Sequence, residues 1–252
     1  MFVEPPPDVT FAVTFTYAPW VEWRVECTQN QREQIAGSNH VTEIYEHACD
    51  QSNPTLSSRR AAMEAVVDTD ASHVLMLQDD LDLCENFIEA TRNAVQAVPK
   101  RIVQLLSPWE EATEIYDGGC RWLRREGHPW GPALVMPTEM VRDFLDWVDI
   151  FMDGFDKDDD CIGCWNCLET PYDIWVAVPG LVEHLGAFEN IAGESRTHGH
   201  RDRDAELYVD EMDVESVDID WSFTSADAVP VQRRQVRTEC LEYIEELGNL
   251  PG

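Results

Sequence analysis

Lysine is almost missing from this chain of 252 residues: Lys100 and Lys157 are its only two, and arginine makes up the rest of the 18 basic residues, against 49 acidic ones. With a net charge of −31 there is no basic stripe to follow a phosphate backbone, so nucleic acid is not expected as a partner. Long apolar runs are missing too. None approaches the roughly 18 residues that cross a bilayer, so no transmembrane segment is expected. The opening MFVEPPPDV has neither a basic start nor an apolar signal core, which leads to the expectation of a cytoplasmic protein. The first apolar stretch, VTFAVTFTYAPW, carries no glycine-rich basic loop, which counts against a nucleotidyltransferase. Eight cysteines in a chain this long and core-rich do not form a disulfide scaffold, and reduced, buried thiols are expected.

What is present is acid and core. Many carboxylates with almost no lysine is the composition a high-salt cytoplasm selects, because screening there removes self-repulsion, so a halophilic source is expected. An acidic interaction face in an ordinary cell is the alternative. An apolar fraction of 44% and nine Trp indicate a globular chain, long enough for one large α/β domain or two small ones.

VTFAVTFT (residues 9–16) reads as a strand, residues 22–36 as a helix ending near Gly37, and residues 41–45 as a short strand. SNPTLSSRRAAMEAVV starts a helix around Pro54, HVLML is a strand, ENFIEATRNAVQAV a helix and RIVQLL a buried strand. This alternation up to about residue 106 predicts a mainly parallel sheet covered by helices. Residues 107–130 lack periodicity and read as a loop or irregular hairpin. GPALVMP is a strand, TEMVRDFLDWVDIFM an amphipathic helix capped by Thr138, residues 159–168 a short helix and DIWVAVP a last strand. From about Glu189 the chain turns acidic, ending in a predicted helix over 231–248.

Asp79, Asp80 and Asp82 leave the apolar strand VLML directly. Crowded carboxylates repel one another and resist burial, so the arrangement is either a solvated turn or a site for a cation. Hard ions such as Mn²⁺ and Mg²⁺ take carboxylate oxygens and complete their shell with water and phosphate. Asp158, Asp159 and Asp160 form a second cluster, also explained by a helix N-terminus, where acids are favoured. His184, in LVEHLG, reads as a packed residue or a ligand. Arg59 and Arg60 are rare cations, facing a bound diphosphate or pairing on a helix surface. Cys161, Cys164 and Cys167 have the spacing of a ferredoxin loop whose fourth position is Pro171, and they are expected to be structural thiols. THGHRDRD (residues 197–204) reads as a disordered tail or, as the resemblance set out next implies, as a segment ordering over a diphosphate.

The ordered set of these features resembles the GT-A glycosyltransferases: an α/β start, an apolar strand running into acids, the Trp-Gly strand HPWGPALVMP, an Asp-Asp-x-Ile segment (159–162) and the ending PGLVEHLG. The resemblance covers residues 8–195. It implies a Rossmann-like mixed sheet flanked by helices in a single domain over 1–195, with 196–252 as an acidic C-terminal extension. In that family's Asp-x-Asp register, Gln78 stands where the first Asp is expected and Asp80 matches the metal ligand, with Asp79 beside it; a shifted register uses Asp80 and Asp82. The resemblance further implies metal ligation by Asp80, Asp82 and His184, and cofactor contacts by Thr14, Thr16, Arg59 and Asp79. It places Trp130 and Gly131 at the acceptor, with Asp160 or Asp159 as general base. The implied activity is inverting transfer of a sugar from a nucleotide-diphosphate donor, a UDP-sugar being favoured, to a hydroxyl of a glycan, protein or lipid-linked acceptor, with Mn²⁺ or Mg²⁺. A degenerate fold serving as a glycan-binding or structural module is the alternative, and Gln78 favours it.

Overall fold

The computed structural model describes residues 8–52, 56–125, 129–151, 157–170, 173–185, 205–222, 238 and 240–242. Its centre is a seven-stranded sheet in the order β2-β1-β3-β7-β5-β8-β6. The strands are β1 (Phe11–Tyr17), β2 (Val41–Ala48), β3 (His73–Gln78), β5 (Val103–Gln104), β6 (Trp122–Arg125), β7 (Ala133–Pro137) and β8 (Ile174–Ala177). β1, β2 and β3 run parallel, β7 is antiparallel to both β3 and β5, and β5 is parallel to β8. β6 closes the far edge antiparallel to β8. The sheet is mixed, as the resemblance implies: β2, β1 and β3 are the parallel strands that the β-α alternation predicts, and β7 and β6 are reversed.

Alternation along the central strands builds a core on each face. Phe11, Val13, Phe15, Leu75 and Leu77 point to one side, where they meet Ile35 of α1 (Glu22–Ile35) and Phe87, Ala90 and Ala94 of α3 (Phe87–Ala97). Ala12, Val74 and Met76 point to the other, against α2 (Leu56–Val66), α5 (Thr138–Phe151) and α6 (Asp158–Glu169). Strands covered on both faces have no polar side to show, which is why VLML reads as an unbroken apolar run.

Several short elements escaped the sequence reading. Residues 107–130 contain α4 (Glu111–Asp117) and β6. α4 is followed by Gly118 and Gly119, the latter at φ +82°, a backbone that other residues rarely adopt. β6 reads as polar because its arginines lie on aromatic rings: Arg124 is 5.8 Å from the Trp175 centroid and Arg125 is 4.2 Å from that of Trp109. A separate ribbon pairs β4 (Leu81–Leu83) with β9 (Val182–His184), each too short to show a period.

Residues 205–222 lie within the first core, to which Tyr208, Val209, Ile219 and Trp221 contribute. Gly180 N–H donates to Leu207 O at 2.8 Å, and a Cβ on Gly180 would come within 3.3 Å of Leu105 O, so glycine permits this close approach. Of the predicted terminal helix, the described residues Thr238, Cys240, Leu241 and Glu242 are helical; residues 197–204 lie outside the described set. Among the described residues no helix is long and apolar enough to cross a membrane.

Candidate active site

The carboxyl ends of β1, β3 and β5 meet the start of the reversed strand β7 along one edge of the sheet. Gln78 N–H donates to Pro132 O at 2.9 Å, and Trp130 N–H donates to Gln104 Oε1 at 2.7 Å. Strand ends of an open α/β sheet form a crevice in which ligands bind. The topology gathers Ala18, Gln78–Asp80 and Trp130–Gly131 there, although they are distant in sequence.

Asp79 and Asp80 are 3% and 4% exposed. Asp79 Oδ2 accepts from Ala18 N–H at 2.6 Å, and its Oδ1 accepts from Arg24 Nη1 at 2.5 Å. Arg24 Nη2 lies 2.9 Å from Asp80 Oδ2, and His184 Nε2 lies 3.4 Å from the same oxygen. One guanidinium thus bridges both acids, which is how the fold tolerates burying them. Burial opposes ionisation of Asp80, but His184 and Arg24 outweigh it and hold its carboxyl below the usual range. For Asp79, burial and the adjacent Asp80 charge prevail over Arg24, and its carboxyl is raised. Asp80 Oδ1 and His184 Nδ1 are among the buried side-chain atoms that have no hydrogen-bond partner within the described residues. Such orphans require an explanation, since nearly all buried polar atoms in folded proteins are paired.

Arg24 was not foreseen from the sequence. The signal was present in the stripe Arg24, Thr28, Gln31 and Ile35, the buried residues of α1, which repeat at helical spacing although three are polar.

Asp82 stands apart. In the β4–β9 ribbon Leu81 faces His184 and Asp82 faces Glu183, so alternation turns Asp82 to the opposite face from His184. The structure does not bring it to the Asp80–His184 pair; partial burial and the charge of Asp210 raise its carboxyl.

The second acidic cluster opens α6, whose first turn carries Asp158, Asp159 and Asp160. Asp158 Oδ2 accepts from Arg59 Nε at 2.8 Å, and Arg59 Nη2 donates to Gly131 O at 2.8 Å. Arg59 is 1% exposed, so in this structure it is an internal strut joining α2, α6 and the approach to β7. Arg60 pairs on the helix surface with Glu64 and Asp149. A Cβ on Gly131 would sit 3.5 Å from both Asp158 Oδ2 and Asp159 Cβ, so the expected acceptor position lies directly against these acids. Asp159 is half-buried, and its carboxyl is pushed up to about 7 by burial and by Asp158 and Asp160. Its Oδ1 accepts from Asp160 N–H at 2.9 Å, and Asp160 is itself half-buried. Cys49 feels both groups: burial raises its thiol, with charge contributions from Asp79, Arg59 and Asp158.

Thr16 sits at the same edge, in register with Gln78, whereas Thr14 is fully buried further down β1. Cys161, Cys164 and Cys167 are buried in the second core with Cys240. Among the described residues no group of three or more His, Cys, Asp and Glu side chains is arranged to hold a metal. A hard divalent ion keeps several waters and is held by one or two carboxylates where phosphate supplies the rest.

No protein-family model and no curated protein sequence matches the chain. Among solved structures it is similar to the galactosyltransferase LgtC in complex with donor and acceptor sugar analogues, at a TM-score of 0.37 and 10% identity over 66% of this chain and 73% of that one. An active-site mutant of LgtC gives a TM-score of 0.37 at 10% identity, over 66% and 72% of the two chains. The apo form of the glycosyltransferase GlyE of Streptococcus pneumoniae TIGR4 gives 0.35 at 11%, over 66% and 44%. With overlap this loose the likeness assigns no activity.

Proposed function

We propose that the chain is a GT-A glycosyltransferase that moves a sugar from a nucleotide-diphosphate donor to a hydroxyl acceptor. The observation that carries this reading is the pair of buried, unpartnered atoms, Asp80 Oδ1 and His184 Nδ1, at the carboxyl end of the central strand β3. Asp80 and His184 would hold Mn²⁺ or Mg²⁺, which when bound supplies Lewis-acid stabilisation of the leaving diphosphate. Arg24 keeps Asp80 ionised and fixed, and Asp79 pins the segment after β1 through Ala18 N–H. Asp159 is the favoured general base, ahead of Asp160. A carboxyl near 7 beside Trp130 and Gly131 is matched to accepting a proton from an acceptor hydroxyl at neutral pH.

A non-catalytic glycan-binding module is the second reading. Arg24 favours it, because it already neutralises the acids that a cation would use. Transfer assayed with Mn²⁺ and a panel of nucleotide sugars separates the two. The transferase reading expects turnover with at least one donor and its loss in Asp80→Asn and Asp159→Asn. Absence of turnover with every donor, at low and high salt, would contradict it.

A further inference from the structure

Asp79 and Asp80 make up the whole turn between β3 and β4. One side chain holds both ends of that turn. Gln31 Nε2 donates to Gln78 O at 3.2 Å and to Leu81 O at 2.7 Å, the carbonyls on either side of the acid pair. A side-chain amide carries two N–H donors, so these two acceptors fix which way the group points. Gln31 stands seven residues after Arg24 on α1, two helical turns along the same side, and both are buried. Arg24 therefore takes the acid side chains, while Gln31 takes the backbone that carries them.

This brace is kept at a cost. Gln31 is 3% exposed, and its Oε1 is buried with no hydrogen-bond partner among the described residues. A buried acceptor in that state lowers stability, so the gain from this residue lies in the turn that its donors hold. We infer that Gln31 is a positioning residue for the ion site: by tying the two ends of the turn it sets the direction in which Asp80 leaves β3, and so the approach of Asp80 to an ion and its nucleotide. This rests on the reading that Asp80 and His184 hold such an ion. Gln34 is the natural comparison. Its Nε2 donates to Leu83 O at 3.1 Å and Cys84 O at 2.8 Å, the same kind of bond further along α1 and beyond the acid pair.

The test is calorimetry of the full chain with UDP in Mn²⁺, on the wild type, Gln31→Met, Gln34→Met and Val141→Ala. Methionine keeps the length of the side chain and removes its donors. Val141 is fully buried in the second core, so its truncation shows what lost stability alone does to binding. Gln31→Met is expected to weaken UDP binding about tenfold, while Gln34→Met and Val141→Ala stay within about twofold of the wild type. In the metal-free chain, the ¹⁵N order parameters of Asp79 and Asp80 should fall in Gln31→Met and in neither of the other variants. Unchanged affinity in Gln31→Met, or equal losses in Gln31→Met and Val141→Ala, would overturn the inference and leave the transferase reading standing. So would a loss of affinity with the turn as ordered as in the wild type. Absence of UDP binding by the wild type in Mn²⁺ would instead remove the transferase reading, and this inference with it.

Discussion

Arg59 and Arg24 do the same physical work at two places: each brings a cation into the interior so that carboxylates can be buried beside it. Removing one member of such a pair leaves an uncompensated buried charge, and for Arg59→Met we expect a loss of about 3–5 kcal/mol in stability. Arg59→Met combined with Asp158→Leu should recover most of that loss, as read from urea unfolding midpoints. Asp159 gives a prediction with a sign. Its carboxyl is raised from 3.8 to about 7 in the folded chain, so its contribution to stability is complete below about 4 and is lost as pH rises through about 7. The melting temperature of the wild type, relative to Asp159→Asn, should therefore fall between pH about 4 and about 8. Sugar transfer should show the opposite trend and rise over the same range, because the base works only when ionised. Asp79 and Asp80 stood out in the sequence because they follow an apolar strand, whereas His184 was singled out only through the resemblance carried by LVEHLG. Arg24 did not stand out, because a buried guanidinium on a polar helix looks the same as an exposed one until the acids across from it are placed.

At the level of elements, the ribbon of β4 and β9 decides which acids act together. A period of two separates Asp82 from His184, a distinction that spacing alone does not make and only the pairing partner reveals. Asp82→Asn is accordingly expected to leave Mn²⁺-dependent nucleotide binding within about twofold of the wild type, while Asp80→Asn lowers it at least about tenfold. Calorimetry on the two variants checks this, and equal losses in both would show that the ribbon holds Asp82 toward the ion. Long, strongly patterned elements such as α3, α5 and β3 were readable from sequence. α4, β6 and the ribbon were not, because a strand of three or four residues has no period and the β6 arginines conceal its burial by stacking on Trp.

Over the whole molecule, the many carboxylates repel one another. The net charge is −31, and the acids of residues 205–222 are held close to the sheet, whose core this segment shares. Salt shortens the Debye length from about 30 Å at 0.01 M to about 3 Å at 1 M, which removes most of that repulsion. The thermal midpoint should therefore rise with NaCl across this range; a flat or falling midpoint would remove the case for a halophilic composition. The β-α alternation set out the sheet in the sequence, but the reversal of β7 and the return of residues 205–222 depend on contacts made by distant segments.

The central claim is that Asp80 and His184 form a divalent-ion site serving a nucleotide diphosphate. Calorimetric titration of the full chain with UDP, in Mn²⁺ and again with chelator, tests it most directly. The account predicts binding in Mn²⁺ that is lost with chelator and in both Asp80→Asn and His184→Ala. UDP binding that survives chelation, or that is unchanged in the two variants, would contradict it.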